Sequence, residues 1–123
     1  AAMAAAALVE VSGGAAVQAL DAAAMAIKNV LGLVCDPVAG LVECPCIKRN
    51  ALGAVNAMIC ADMALAGVTS LIPFDEVVTT MLTVGHDLRS EYRETAKGGL
   101  AVTPTGKKVA ERVRRMQRQG DSI

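Results

Sequence analysis

The sequence predicts an all-α fold, a compact helical bundle interrupted by one irregular loop that carries cysteines. Three observations lead there. Apolar side chains recur at three- and four-residue steps through most of the chain, strand-like alternation is missing, and the apolar content is mostly Ala, Val, Leu and Met with one Phe, one Tyr and no Trp. Helices faced with such small side chains can approach closely. At 123 residues and 54% hydrophobic content, with a mean hydropathy of +0.45, the chain is long enough for one domain around one core.

Residues 1–11, AMAAAALVEV after the first Ala, are strong helix formers stopped by Ser12-Gly13-Gly14. A second helix is expected from Ala15 to about Leu31, with Val17, Leu20, Ala24, Ile27 and Leu31 on its apolar face. Gln18, Asp21 and Lys28 are its polar members, and Gly32 is its stop. Pro37, Gly40 and Pro45 break every period in residues 33–46, which makes that stretch an irregular loop. Helical spacing returns from Lys48 to about Ala66, with Leu52, Val55, Ile59, Met63 and Ala66 on one face and Gly67 at the end. Asn56 and Asp62 interrupt that apolar helix, so each is expected either to contact another helix or to serve a site. Pro73 suits the first turn of a fourth helix, with Asp75 and Glu76 near its positive end and Val77, Val78, Met81, Leu82 and Val84 on its apolar face. Gly98-Gly99 and residues 103–106, TPTG, bracket a short loop before a basic terminal helix.

Twelve basic and twelve acidic residues cancel, so no net field is available to hold a nucleic acid. The charge is uneven, however. Lys107, Lys108, Arg112, Arg114, Arg115 and Arg118 crowd the tail, where Glu111 is the acid among them, and the pattern reads as a solvated terminal helix. Asp36, Glu43, Asp62 and Asp75 cut the apolar runs short of the roughly 18 to 20 residues that a membrane span needs. No membrane association is therefore expected. Residues 1–8 lack the basic start of a secretory signal, which leaves a cytoplasmic location as the expectation. The chain opens without Met inside an uncapped helical pattern and reads as a fragment of something longer.

The four cysteines stand at 35, 44, 46 and 60. Cys60 falls on a helical pattern and reads as a small buried side chain. The other three lie in the irregular loop, where clustered thiols in a reducing compartment favour metal binding over disulfides. The C-x8-C-x-C spacing does not fit the short cysteine pairs of structural zinc sites, and His86 is some forty residues away. A soft site such as an iron-sulfur cluster and a set of merely buried thiols both remain open on spacing alone.

Residues 35–50, CDPVAGLVECPCIKRN, resemble a segment of the iron-sulfur L-serine dehydratases, in the C-terminal part of their alpha chain or domain. AMAAAALVEV at residues 2–11, NALGAVNAMICADMALAGV at 50–68 and RETAKGGLAVTPTG at 93–106 extend the likeness. It covers nearly the whole chain to residue 108 and leaves 109–123 as a separate basic helix or tail. The resemblance implies a 4Fe-4S cluster with Cys35 and Cys46 as two of its ligands and a third cysteine upstream of residue 1, so this chain alone is expected to hold no intact cluster and to be inactive. It implies a lyase of amino-acid degradation and gluconeogenesis, an L-serine ammonia-lyase in which an open iron acts as Lewis acid and serine becomes pyruvate and ammonia. The implied partners are L-serine, a beta chain or beta domain of the same enzyme, and further copies in a homo-oligomer.

Several residues carry competing readings. Lys48, Arg49 and Asn50 follow the second cysteine at a helix start, where side-chain charge and free N–H groups would suit the serine carboxylate, or else simply face solvent. Asp36 either orients the loop, contacts a cluster-bound group or caps a turn. Cys44 stands where the family usually has an aliphatic residue and reads as a packing thiol, and His86 sits on an exposed-looking turn as a weak candidate base. The catalytic base is not identifiable from the sequence. The rival functions are a cysteine desulfidase with a similar alpha region, and a non-catalytic helical metal-binding or assembly module.

Overall fold

The computed structural model describes residues 1–120. Among them lie five α-helices: α1 (Ala2–Val11), α2 (Ala16–Lys28), α3 (Cys46–Leu65), α4 (Phe74–Asp87) and α5 (Pro104–Gly120). Short 3-10 turns occupy Val38–Gly40, Ser90–Tyr92 and Gly99–Val102. Among the described residues the extended pairing is a single isolated bridge between Cys35 and Arg93, so the all-α expectation holds. The one-core expectation does not. The chain divides into two compact units, the first made of Ala1–Leu33 and Asn50–Asp87, the second of Val34–Arg49 and the chain from Leu88 onward. The basic stretch expected at 109–123 is helical through Gly120, and residues 121–123 lie outside the described ones.

The first unit is built by small residues. Ala5 and Val9 of α1, Ala22, Met25 and Ala26 of α2, and Ala57, Cys60, Ala61 and Ala64 of α3 form one buried cluster. A second cluster joins Ala24 and Ile27 of α2 to Val77 of α4, with Phe74 and Val78 beside it. Alanine surfaces let helix backbones come close, so dispersion contacts replace long interdigitating side chains.

That packing reverses two expectations of the sequence. Val17 and Leu20 are 65% and 52% exposed on α2, and Leu52, Val55 and Ile59 are 56%, 51% and 51% exposed on α3. These side chains thus point outward, together with Met58, whereas Ala24 and Ile27 of the face assigned to α2 are buried and Met63 of the face assigned to α3 packs against the core. The polar members of α2 also bind neighbours. Gln18 donates from Nε2 to the Ala64 carbonyl (2.8 Å), Asp21 accepts the Ser70 N–H (2.8 Å), and Lys28 Nζ donates to the Ser70 carbonyl. Asp21 thus satisfies the Ser70 N–H, while Gln18 and Lys28 add second bonds to the Ala64 and Ser70 carbonyls, which also accept the Gly67 and Ile72 N–H groups.

α2 ends at Lys28, earlier than its expected stop at Gly32, and a turn covers the remaining residues. α3 stops as expected: Gly67 takes a φ of +89°, its N–H bonds the Ala64 carbonyl, and the Val68 N–H bonds the Met63 carbonyl. That left-handed stop is open to glycine without steric cost. Asn56 is buried and does join helices, whereas Asp62 is exposed and does not. His86 lies in the last turn of α4, exposed, and not on a turn. None of the helices among the described residues is long and apolar enough to cross a membrane.

Candidate functional site

The cysteine loop belongs to the second unit. Its chain is irregular because Pro37 and Pro45 withhold N–H donors and Ala39 adopts a φ of +59°, so neither helix nor strand can propagate. The loop is held instead by bonds within it: the Val38 N–H donates to the Cys44 carbonyl (2.9 Å) and the Leu41 N–H to the Val38 carbonyl (3.1 Å). The Cys44–Pro45 peptide is cis. α3 begins at Cys46, which fixes the second cysteine on a regular element.

Cys35 is fastened from both sides. Its N–H donates to the Tyr92 carbonyl and its carbonyl accepts the Glu94 N–H, each at 2.8 Å. Arg49, one turn into α3, then reaches back with Nη1 to the Val34 carbonyl (2.9 Å) and to Asp36 Oδ1 (2.7 Å). The two residues flanking Cys35 are therefore gripped by one guanidinium nitrogen. Asp36 is 2% exposed, and its Oδ2 accepts the Leu100 N–H at 2.6 Å. Gly99 lies against this carboxylate so closely that a Cβ there would overlap Oδ2 and sit 2.7 Å from the Asp36 Cβ.

The electrostatics follow from these contacts. Burial alone would raise the Asp36 carboxyl, but the Leu100 N–H and the Arg49 guanidinium outweigh it and hold the carboxyl below its usual range. Bonds of this charge-assisted kind contribute about 1.5–3 kcal/mol each. Cys35 is pushed the other way: burial raises its thiol, Glu94 and Cys46 raise it further, and Arg49 opposes them. The influence of Cys46 on Cys35 means that the two thiols share one electrostatic neighbourhood. Both are half-buried, while Cys44 is exposed and Cys60 is buried in the first unit.

Lys48 and Asn50 are exposed at the start of α3. The free N–H groups expected there are occupied: those of Ile47, Lys48 and Arg49 bond the Glu43, Pro45 and Pro45 carbonyls at 3.3, 3.0 and 3.2 Å. Recognition of an anion at this helix start would fall to side chains. Sequence reasoning named Asp36 and Arg49 but not their union, and it missed Gly99, Leu100, Tyr92 and Glu94 as its supports. The segment RETAKGGLAVTPTG was the available signal, since it contains three of those four.

Among the described residues, no three or more His, Cys, Asp or Glu side chains are grouped to hold a metal ion. Cys35 and Cys46 nevertheless fit as two donors of a larger set. They are soft, partly accessible, mutually close in electrostatic terms and carried on a tethered backbone. Fold and site together define an all-α protein that presents one thiol from a clamped, irregular loop and a second from the first residue of α3.

Comparison with known proteins gives that description a family. The model of the serine dehydratase alpha chain family matches residues 1–101, and the chain belongs to that family. A probable L-serine dehydratase alpha chain of Bacillus subtilis is 60% identical over 111 residues, which cover 90% of this chain and 37% of the relative. One from Latilactobacillus sakei is 62% identical over 105 residues, 85% of this chain and 50% of the relative. The L-serine dehydratase alpha chain of Peptoniphilus asaccharolyticus is 62% identical over 108 residues, 88% and 37% of the two chains. The chain thus spans between about a third and half of the length of these curated relatives.

Proposed function

We propose that this chain is the cysteine-loop portion of an enzyme that dehydrates L-serine to pyruvate and ammonia. The observation that carries the reading is the tethered Cys35, half-buried and under the electrostatic influence of Cys46, in a chain of the serine dehydratase alpha family. Cys35 and Cys46 hold a 4Fe-4S cluster together with a third cysteine from outside these residues. A bound cluster of that kind supplies Lewis acidity to a hydroxyl that must depart from carbon.

The chain's own residues bind and orient. The two thiols must lose their protons to serve as ligands, so binding is coupled to proton release. Lys48 and Asn50, exposed one residue to either side of Arg49, offer a cation and an amide N–H to the substrate's carboxylate. Loss of water from serine gives aminoacrylate, which hydrolyses to pyruvate and ammonia. Partners belong to the same reading: a beta chain or domain, and further copies of the enzyme. The outward-facing Val17, Leu20, Leu52, Val55, Met58 and Ile59 support association with more protein.

The test is pyruvate formation from L-serine by the complete enzyme with its beta region, its cluster rebuilt without oxygen, beside Cys35→Ala and Cys46→Ala. Both variants are expected to lose iron and activity together. A verified cluster that yields no pyruvate from L-serine refutes the proposal, and release of hydrogen sulfide from L-cysteine by the same preparation would identify a desulfidase.

A further inference from the structure

We propose that Arg49 and Asp36 form a clamp that positions Cys35, so that Arg49 acts through the loop and does not bind the substrate's carboxylate. The inference rests on the reading of Cys35 as a cluster ligand. Its basis is connectivity. One nitrogen of Arg49 bonds the carbonyl of the residue before Cys35 and the carboxylate of the residue after it, at 2.9 and 2.7 Å. The second oxygen of that carboxylate is taken by the Leu100 N–H, 64 residues away in sequence. The Cys35 backbone is paired on its other edge with Tyr92 and Glu94. Every polar direction around Cys35 except that of its thiol is thereby committed.

Charge and strain agree. The Asp36 carboxylate neutralises the guanidinium, and the Arg49 side chain is 24% exposed, which leaves it poorly placed to present a free positive charge to an incoming anion. Glu94, which bonds the Cys35 carbonyl, and Ala96, two residues on, hold φ values of +65° and +54°. Non-glycine residues persist in that region where surrounding bonds over-determine them. Gly99, at a φ of +56°, has no Cβ where one would displace the carboxylate. A residue that only needed to bury a charge pair would not require these supports on three separate segments.

Arg49→Met keeps the length of the side chain and removes its donors, and Arg49→Lys keeps the charge but not the guanidinium fork. The complete enzyme carrying each variant is compared with the parent enzyme and with Cys35→Ala. Cluster loss is followed by visible absorbance and iron content on dilution into a chelator, and kcat and KM for L-serine are expressed per intact cluster. In cluster-free protein, amide exchange is read over residues 33–38 and 92–96, with residues 22–27 of α2 as the control for folding. Arg49→Met is expected to lose its cluster at least about tenfold faster, the factor that one of its two lost charge-assisted hydrogen bonds accounts for. Exchange at Cys35 and Glu94 rises by a similar factor, kcat falls, and KM stays within about twofold.

Lysine is expected to restore part of the retention. If residues 22–27 of Arg49→Met lose protection, the protein has unfolded and Arg49→Lys is read in its place, with an intermediate loss rate expected. Parental retention and exchange in the variant that is read overturn the clamp. So does an intact cluster with KM raised tenfold or more, which would return Arg49 to the substrate. A cluster that survives Cys35→Ala overturns the underlying ligand assignment instead, a result distinct from either.

Discussion

Asn56→Ala isolates one of the polar links between α2 and α3. Asn56 is 8% exposed; its Nδ2 donates to the Ala26 carbonyl at 2.9 Å, and its Oδ1 accepts from Asn29 Nδ2 at 2.7 Å. Ala26 stands in the last turn of α2, where carbonyls run out of helical donors. The N–H four residues on, that of Val30, is turned to the Ile27 carbonyl. Truncation therefore strands a carbonyl on a fully buried residue, at about 1–3 kcal/mol. The space left by the amide adds about 1 kcal/mol. Asn29 is exposed and can turn to water, so its lost bond adds little. The sum is a destabilisation of about 2–4 kcal/mol, read as a lower urea midpoint at unchanged m, with faster amide exchange at the end of α2. Asn56→Asp sharpens the test. Its ionised carboxylate would face the Ala26 carbonyl, so that variant is expected to be weaker than alanine at pH 7 and to recover in acid, where the protonated acid can donate. A midpoint for Asn56→Ala within about 0.5 kcal/mol of the parent would mean that Ala26 is satisfied by something other than Asn56, and the argument fails.

Gly99→Ala is expected to destabilise the second unit by about 2–4 kcal/mol, from a left-handed φ and the overlap with Asp36; limited proteolysis of the 88–103 segment should accelerate, and an unchanged pattern would refute the close approach. In cluster-free protein, Cys44 should alkylate first and Cys60 only on unfolding, because Cys44 is exposed and Cys60 is 0% exposed; residue-resolved mass spectrometry reads the order, and early labelling of Cys60 would contradict its burial. Burial raises the Cys60 thiol, against a smaller lowering by Lys28. A raised folded-state value means that this stabilisation is full below the ordinary thiol range, about pH 8.5, and is lost as pH rises through the folded value. Cys60→Ala should accordingly flatten the alkaline decline in urea midpoint, and an identical decline in both proteins would rule that source out.

Helix count, helix type and the cysteine loop were legible in the sequence because they depend on local chemistry. Pro37 and Pro45 remove donors, Gly67 permits a left-handed stop, and alanine-rich periodic runs favour helix wherever they sit. Family membership was legible for a similar reason, since residues 35–50 and 93–106 are contiguous segments. The orientation of the helices was not. Of the apolar face assigned to α2, the fold buried Ala24 and Ile27 and exposed Val17, Leu20 and Leu31, while Ala22, Met25 and Ala26 joined the core.

What the sequence determined by itself is the set of elements, since propensity, breakers and caps act within a few residues of one another. What only the tertiary structure decided is who meets whom: Gln18, Asp21 and Lys28 turned inward to backbone groups 42 to 49 residues away, and Asp36 met Leu100 across 64. A buried polar group takes the partner that folding brings to it, and no local rule names a partner at that distance. The position of Cys35 is of this second kind, because it depends on segments that become neighbours only when the chain has folded.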